Sequence, residues 1–294
     1  MMRLLILCSS LLMFRGTNAF QVSPLLSTIR QTLSSPSVLS ATTTTTTETD
    51  VVNPRLEGLA LLLDDGTRKS HSMAQNSAFV TGFFKGLSTR EAYRSLITSY
   101  YFVYQAMEQS FDDLGSDATT TATTTTTGVS VKALDDDELR RLPALGRDME
   151  YFYGSNWQKE ITMSAGTKIY VDRVTHLANS DTERYLLVAH QYTRYLGDLF
   201  GGQMMSGMAT RSLDLPDEKG VDFYNFEGIT SVKDFITDWY TRLNALDLTD
   251  EQKELIVDEA NYVFDLNIGI LEEIDGNPLK AMWTLAINTL QIQL

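Results

Sequence analysis

The stretch Gln191-Tyr192-Thr193-Arg194-Tyr195-Leu196-Gly197-Asp198-Leu199-Phe200-Gly201-Gly202-Gln203 decides the fold, because it places three glycines inside what is otherwise the pattern of a long amphipathic helix. Gly197, Gly201 and Gly202 fall at i, i+4 and i+5 on one face, where together they cost roughly 3 kcal/mol of helix stability against alanine. Two interpretations account for this face: a flat or bulky ligand that approaches the backbone, or a neighbouring helix packed through small residues. In the first case Asp198, between the glycines, is placed to reach the ligand.

The rest of the chain is predicted to be helical. Apolar residues recur at helical spacing in Leu56, Leu59, Ala60 and Leu63 and again in Phe79, Phe83 and Phe84, and no alternating strand pattern is sustained. Further helices are predicted at about 90–111, 135–153, 166–178, 182–213, 232–245 and 250–273, with a short one from Pro278. Threonine runs at 42–47 and 119–127 cannot bury surface. The prediction is therefore an all-α fold, one domain over 53–294 with a disordered loop at about 116–128.

The first 52 residues have the composition of a targeting leader. Arg3, an apolar run and the small residues before Ala19 are typical of a signal peptide over 1–19. Residues 20–47 carry no acidic side chain and many Ser and Thr, which is typical of a transit peptide, so 20–52 is interpreted as transit peptide and linker. The two parts resemble the bipartite leaders of algae with multiply wrapped plastids and predict a plastid protein without a membrane anchor in its mature form. Plain secretion is the alternative, but it leaves the acid-free stretch unexplained.

Cysteine content and charge exclude several functions. The only cysteine, Cys8, lies in the predicted signal peptide, so disulfides, cysteine nucleophiles, iron–sulfur clusters and cysteine zinc sites are excluded for the mature protein. The formal net charge is −14, and removal of residues 1–19 leaves 22 basic against 38 acidic residues, or −16. Nucleic acid and anionic membranes are therefore not expected partners.

The three histidines restrict imidazole chemistry to His71, His176 and His190. His71 is predicted late in the first helix, with Gln75 one turn on, placed to accept the Nδ1–H and leave Nε2 for a metal. The alternative for His71 is a surface or satisfied core histidine. His190 is expected to pack or cap, and His176 to be solvated. One imidazole opposite a glycine-kinked helix suits a haem, because the iron takes one histidine and the flat macrocycle accounts for the glycines.

The sequence resembles the haem oxygenases, and most closely the soluble kind found in cyanobacteria and plastids. The resemblance spans about residues 56–290 in the right order and is carried by four segments: Gly66 to Asn76, Tyr101 to Glu108, Phe152 to Trp157, and Leu187 to Leu199 followed by Gly201-Gly202-Gln203. It implies a helical fold that holds haem between a proximal helix and the glycine-kinked distal helix. The reaction implied is cleavage of haem b by O2 and electrons, expected from reduced ferredoxin, to biliverdin, CO and ferrous iron. A monomer is expected.

The resemblance also implies roles for individual residues. His71 matches the axial ligand of the haem iron, and Asp198 matches a distal carboxylate that acts through ordered water. Gly197, Gly201 and Gly202 match the glycines that let the backbone touch the porphyrin. The polar groups that match those holding the water network are Tyr104, Tyr153, Arg194 and Asn267. Tyr192 matches a tyrosine that contacts a haem propionate.

Several positions depart from the family pattern. Asp64 stands where a basic propionate partner is usual, and Ile236 and Tyr240 stand at two more such positions. Loss of three partly exposed ion pairs would weaken haem binding by ~1 to 3 kcal/mol. The candidate replacements are Arg68, which shares a helix face with His71, and Arg242 or Lys233.

Two further departures concern the glycine helix. Phe200 replaces a small serine and either reshapes the pocket or points outward, and Ser206-Gly207 replaces a pair of lysines. A strongly acidic domain without these lysines lacks an obvious docking face for acidic ferredoxin. Three hypotheses remain open from sequence: an active haem oxygenase, a haem-binding or regulatory paralogue that does not turn over, and a helical interaction module that binds no haem.

Overall fold

The computed structural model describes residues 53–77, 80–82, 89–116, 131–216 and 219–274, and no β-strand occurs among them. The α-helices are α1 (Gly58–Gly66), α2 (Arg68–Gln75), α3 (Arg90–Ser116), α4 (Leu142–Tyr153), α5 (Ala165–Ala178), α6 (Leu187–His190), α7 (Gly197–Ser212), α8 (Val232–Asn244) and α9 (Asp250–Ile274). A π-helix (Gln191–Leu196) joins α6 to α7, and short 3-10 helices include Pro54–Leu56 and Asp222–Tyr224. The prediction of an all-α fold is confirmed.

Some predictions lie outside the described residues. These are the leader at 1–52, the threonine-rich loop beyond Ser116, the periodic residues Phe79, Phe83 and Phe84, and the short helix from Pro278. Within the described ranges, no helix is both long enough and apolar enough to cross a membrane.

Two long helices organise the core. One of them, α3, packs against α4 and α5, while α9 packs against α1, α2, α5 and α6. The largest fully buried side chains include Trp239, Tyr93, Tyr104, Tyr170, Phe111 and Phe223. An aromatic core of this kind excludes water over a large area and fixes the helices that carry the polar groups described below.

Helix starts in this bundle are set by local side chains. Ser164 precedes α5 and accepts a hydrogen bond from the Thr167 amide at 3.2 Å, and Ser231 does the same for Asp234 before α8 at 3.3 Å. Such caps satisfy amides that have no partner inside the helix. They place the starts of α5 and α8 within one residue of the starts predicted at 166 and 232.

The predicted helix at 182–213 is four elements instead of one, and the first is the 3-10 helix Arg184–Leu186. The chain runs through α6, widens into the π-helix Gln191–Leu196, and returns to α-helix from Gly197. Hydrophobic periodicity did not predict this change. A π-turn adds one residue to the turn, so the helix keeps an apolar face and only the positions of the apolar residues along the sequence shift. π-Turns concentrate at functional sites, and this one lies directly before the glycine helix.

The predicted first helix is also divided, at Thr67. The Thr67 hydroxyl donates to the Leu63 carbonyl at 2.7 Å, and α1 ends at Gly66. A Cβ on Gly66 would lie 2.3 Å from Val257 Cγ1, so glycine is required for the close approach of α1 to α9. His71 therefore belongs to a second, short helix, α2, which packs on α9.

Candidate functional site

The imidazole of His71 marks one side of the site. His71 lies on α2, and its ring meets the ring of Phe264 edge-on at 5.8 Å between centroids. The surrounding protein lowers the pKa of His71 by desolvation, and the charge of Asp64 opposes this only in part. The neutral imidazole, which is the form that can donate a lone pair to a metal, is therefore favoured near neutral pH.

The glycines of α7 divide into two kinds. A Cβ on Gly197 or Gly201 would meet no atom within 4 Å, so these two positions face open space. A Cβ on Gly202 would lie 3.3 Å from the Tyr224 carbonyl oxygen, within the 3-10 helix Asp222–Tyr224. Both interpretations of the glycine face therefore hold at different positions: Gly197 and Gly201 leave room for a ligand, and Gly202 permits close packing.

Asp198 lies between these glycines with its side chain 14% exposed. The Tyr104 hydroxyl of α3 donates a short hydrogen bond to Asp198 Oδ2, and Arg194 Nη2 lies 3.5 Å from the same oxygen. The pKa of Asp198 is raised above its ordinary value, because burial outweighs the opposing effects of Arg194 and of the hydrogen bond from Tyr104. Both of these contacts use Oδ2, and among the described residues Oδ1 has no hydrogen bond, so it can accept from, or donate through, water.

Arg194 is held by groups from three helices. Its Nη1 donates to Asn267 Oδ1 of α9 at 2.9 Å, and its guanidinium carbon lies 4.3 Å from the centroid of the Tyr100 ring of α3. Burial alone would lower the pKa of Arg194. The charge of Asp198 and the surrounding phenols outweigh burial and raise this pKa well above its ordinary value. Arg194 therefore stays charged and fixes the carboxylate of Asp198.

The structure brings together four of the five polar residues predicted for the water network and places the fifth elsewhere. Tyr104, Arg194, Asp198 and Asn267 are linked as described. The Tyr153 hydroxyl instead lies 2.7 Å from Thr98 Oγ1, with the Tyr153 ring under the Arg94 guanidinium at 4.7 Å. The Tyr153 hydroxyl is thus engaged by Thr98, and no contact between Tyr153 and Asp198 is found within the described ranges.

Sequence reasoning missed two tyrosines beside Arg194. Tyr100 precedes Tyr104 by one helical turn on α3, and this i, i+4 spacing was a signal that the two share a face. Tyr170 of α5 is 1% exposed, and its hydroxyl has no hydrogen-bond partner among the described atoms. The charges of Arg194 and Asp198 both act on the pKa of Tyr170, which burial raises. No spacing in the sequence connects Tyr170 to the glycine helix.

A second group of side chains, here called the rim cluster, consists of Arg55, Asp64, Tyr192, Phe200 and Tyr240. Arg55 Nη2 lies 2.6 Å from Asp64 Oδ1, and the Arg55 guanidinium carbon lies 5.8 Å from the centroid of the Phe200 ring. Burial raises the pKa of Tyr192 to about 12, and the charge of Asp64 adds to this. Asp64 also acts on the pKa of Tyr240. The rim cluster joins α1 to the π-helix, α7 and α8.

The departures from the family pattern now have locations. Ile236 is 4% exposed in the core, and Tyr240 is 2% exposed. Phe200 is 42% exposed at the rim, which agrees with the interpretation that its ring points outward. Arg68 is 71% exposed and pairs with Asp65 at 2.5 Å.

The other two histidines have structural partners. His190 is fully buried, with Nε2 3.0 Å from Glu259 Oε1, and Glu259 is also held by Arg173 at 2.6 Å. Burial raises the pKa of Glu259, but the hydrogen bonds from His190 and Arg173 outweigh it and lower the pKa to about 2. His176 lies at the surface, 3.1 Å from Glu183. The expectations that His190 packs and that His176 is solvated are confirmed.

Two other features do not compete with this site. A cavity of 270 Å³ lies between α3 and α5, and its lining includes Gln109, Ser110 and Arg184 but none of the predicted site residues. Its size falls below the roughly 300–1,000 Å³ of typical ligand pockets. Among the described residues, no group of three or more His, Asp or Glu side chains could hold a bare metal ion.

The fold and site together define a class: an all-helical protein with one neutral imidazole, a glycine helix with an open face, and a buried carboxylate fixed by an arginine and a tyrosine. These residues fit a haem, because His71 would hold the iron through its imidazole and the backbone at Gly197 and Gly201, which have no side chains, would allow a flat ring to approach. Comparisons with known proteins agree with this class.

The family model for heme oxygenase matches residues 57–273. The heme oxygenase of Porphyra purpurea is 38% identical over 236 residues, which are 80% of this chain and 94% of that protein. Heme oxygenase 1 of a Nostoc species is 37% identical, over 79% of this chain and 92% of that protein. The solved structure of heme oxygenase-1 from Synechocystis in complex with heme matches with a TM-score of 0.68 at 39% identity, over 80% of this chain and 100% of that one. The chain belongs to the haem oxygenase family, and the resemblance inferred from its motifs is confirmed.

Proposed function

We propose that this protein cleaves haem b oxidatively to biliverdin, CO and ferrous iron, using O2 and electrons from reduced ferredoxin. The observation that carries the proposal is the fixed carboxylate of Asp198, bound by Tyr104 and Arg194, on the helix whose Gly197 and Gly201 face open space. A packing module has no use for a buried carboxylate placed beside an open face, because the burial of charge is costly.

His71 is the residue proposed to bind the iron. Its lowered pKa keeps the imidazole neutral, so that a ring nitrogen is available without prior loss of a proton. The edge of Phe264 fixes one side of the ring. When bound, haem supplies the iron that activates oxygen, and it is itself the molecule that is cleaved.

Asp198 is proposed to move a proton through water on the opposite side. Tyr104 stays protonated, because burial and the charge of Asp198 raise its pKa well above the ordinary value, and its hydroxyl therefore donates to Asp198 Oδ2. Arg194 balances the charge of the carboxylate. This leaves Oδ1 to hold a water. A carboxylate acting through water can supply protons without occupying the position that oxygen needs.

We also propose a plastid location, a ferredoxin donor and a monomeric state. The acid-free composition of residues 20–47 behind a signal-like segment supports the location, and relatives from red algae and cyanobacteria are consistent with it. A fluorescent protein fused to residues 1–52 should accumulate in the plastid, and secretion of the fusion would contradict the proposal. Sedimentation of the purified chain tests the monomer.

The experiment that tests the activity is a haem titration followed by turnover. The expected result is a one-to-one complex seen in the Soret band, which decays as biliverdin absorbance grows once ferredoxin, its reductase and NADPH are added in air. A complex that forms and persists would favour the non-catalytic paralogue. No complex at all would favour the helical interaction module.

A matched pair of substitutions tests the two kinds of glycine. Gly201→Leu should lower haem affinity at least about tenfold, or about 1.4 kcal/mol, because the new side chain occupies the open face. It should not lower the melting temperature, since leucine favours helix more than glycine by about 0.8–1 kcal/mol. Gly202→Leu should destabilise the fold by about 1–3 kcal/mol through overlap with Tyr224. Circular dichroism melts and Soret titrations of both variants give the comparison, and equal melting temperatures would contradict the assignment.

A further inference from the structure

The cation of the rim cluster, Arg55, lies outside the helices that carry the other proposed site residues. Arg55 belongs to the 3-10 helix Pro54–Leu56, which precedes α1. Its side chain is 26% exposed and that of its partner Asp64 is 33% exposed, so the pair is partly shielded from water. The residue lies nine positions before Asp64, and no helical spacing relates the two.

The backbone around Arg55 is fixed by hydrogen bonds. Asn53 Oδ1 accepts from the Arg55 amide at 3.1 Å. The Asn244 side chain at the end of α8 donates to the Pro54 carbonyl at 2.6 Å and accepts from the Ala60 amide at 2.9 Å. These bonds tie the 3-10 helix to α1 and α8. The backbone that carries the Arg55 side chain is therefore fixed.

The surroundings of Arg55 place it at the edge of the proposed haem site. Its guanidinium lies beside the ring of Phe200, one turn after Gly197 on α7. Its partner Asp64 is close enough to affect the pKa of both His71 and Tyr192. Arg55 therefore contacts both the helix that carries the glycines, through Phe200, and α1, through Asp64.

The cations suggested by sequence are less well placed. Arg68 is 71% exposed, pairs with Asp65 at 2.5 Å and lies 3.8 Å from Asp64 Oδ2, so it is a more distant and more solvated partner of Asp64 than Arg55, which lies at 2.6 Å. Arg242 donates to Asp238 at 2.9 Å, to Asp136 at 2.8 Å and to the Ala133 carbonyl at 2.7 Å, so its guanidinium is already engaged. Within the part of the chain that the structure describes, the only hydrogen bond of the Arg55 guanidinium is from Nη2 to Asp64. Its Nε and Nη1 donors remain available for a second carboxylate.

We propose that Arg55 is the residue that recognises a carboxylate of the haem periphery, and that Asp64 is its counter-ion. The inference rests on the function proposed above. A guanidinium presents a fork of donors and can bind two carboxylates together. In this arrangement Arg55 lies between Asp64 and a propionate and offsets their repulsion. Asp64 then weakens the attraction for haem, and Arg55 restores it.

The test measures binding to the full chain by Soret titration, with iron protoporphyrin IX and its dimethyl ester as probes. Arg55→Ala should weaken binding of the diacid about five- to tenfold, the range expected for one partly exposed, charge-assisted contact. Binding of the diester should change less than about twofold, because the diester carries no carboxylate. Asp64→Asn should tighten binding of the diacid, and Arg55→Lys should recover part of the loss.

Arg242→Ala is the matched control, since Arg242 has a similar exposure of 30% and two carboxylate partners. It should bind both probes as the unmodified chain does. Melting curves of Arg55→Ala show whether the variant is as stable as the unmodified chain.

Equal binding of the diacid by Arg55→Ala and the unmodified chain, or an equal loss for diacid and diester, would overturn the proposal. A loss caused by Arg242→Ala alone would transfer the role to Arg242. If the unmodified chain binds neither probe, the proposed function fails and the role of Arg55 fails with it. If it binds both but forms no biliverdin, only the catalytic part fails, and the Arg55 comparison still decides this proposal.

Discussion

Replacing His71 with alanine is expected to abolish biliverdin formation while the helical fold is retained. The imidazole is exposed, and its only described ring contact is the edge of Phe264, so its removal leaves no cavity in the core. Loss of a group that merely supports a metal ligand typically costs about 10–100-fold, and loss of the ligand itself should cost more. Biliverdin formation after haem loading, followed by absorbance in the ferredoxin system, measures the effect.

Two controls separate ligation from a general loss of fold. Added imidazole should restore part of the turnover of His71→Ala, because it can occupy the position of the missing ring. His176→Ala removes another exposed histidine, which pairs only with Glu183, and should leave turnover unchanged. Biliverdin formation by His71→Ala at the unmodified rate without added imidazole would end the assignment of His71 as the iron ligand.

The parts of the site that follow from helical spacing could be predicted from sequence. Arg194 and Asp198 are four residues apart on one helix turn, and they interact in the structure. Local chemistry accounts for several other features. Glycine placement marks the glycine helix, apolar periodicity indicates the all-α fold, and serine caps set the first residues of α5 and α8. These features depend on residues that are close together in the sequence, so one sequence is enough to predict them.

The parts that depend on long-range contacts could not be predicted. Arg55 reaches Asp64 only because Asn244, 190 residues from Pro54, fixes the 3-10 helix that carries it. Tyr170 comes near Arg194 only because α5 packs against α3. The π-helix Gln191–Leu196 keeps the apolar pattern of an α-helix, and spacing alone does not reveal the extra residue.

Local charge also explains why Arg68 and Arg242, two of the cations suggested from sequence, are less available than Arg55 for a further carboxylate. Arg68 pairs with Asp65 and lies 3.8 Å from Asp64, three and four positions before it, and Arg242 pairs with Asp238 on its own helix. Both guanidinium groups are thus engaged by acidic residues that are close in sequence. Arg55 has no acidic residue within its own 3-10 helix, and its partner Asp64 comes from α1.

Replacing Asp198 with alanine is expected to leave haem bound and to stop its cleavage. His71 is untouched, so the Soret band of the complex should form with nearly unchanged affinity. The loss of a positioned proton donor typically costs about 10²–10⁴-fold in rate, so biliverdin formation should fall within that range. Normal biliverdin output from Asp198→Ala would remove this carboxylate from the mechanism.

A substitution of Tyr104, which binds Asp198, tests the same network with a smaller expected effect. Tyr104→Phe keeps the buried ring and removes the hydroxyl that donates to Oδ2. The carboxylate then keeps Arg194 but loses one of its two fixed partners, so turnover should fall by about tenfold, less than in Asp198→Ala. Tyr101→Phe on the same helix is the matched control, because the Tyr101 ring packs against Trp157 at 4.7 Å and its hydroxyl bonds only weakly to Gln105. Equal turnover for the two phenylalanine variants would mean that Asp198 holds its position without Tyr104, and that Arg194 alone sets the geometry for proton delivery.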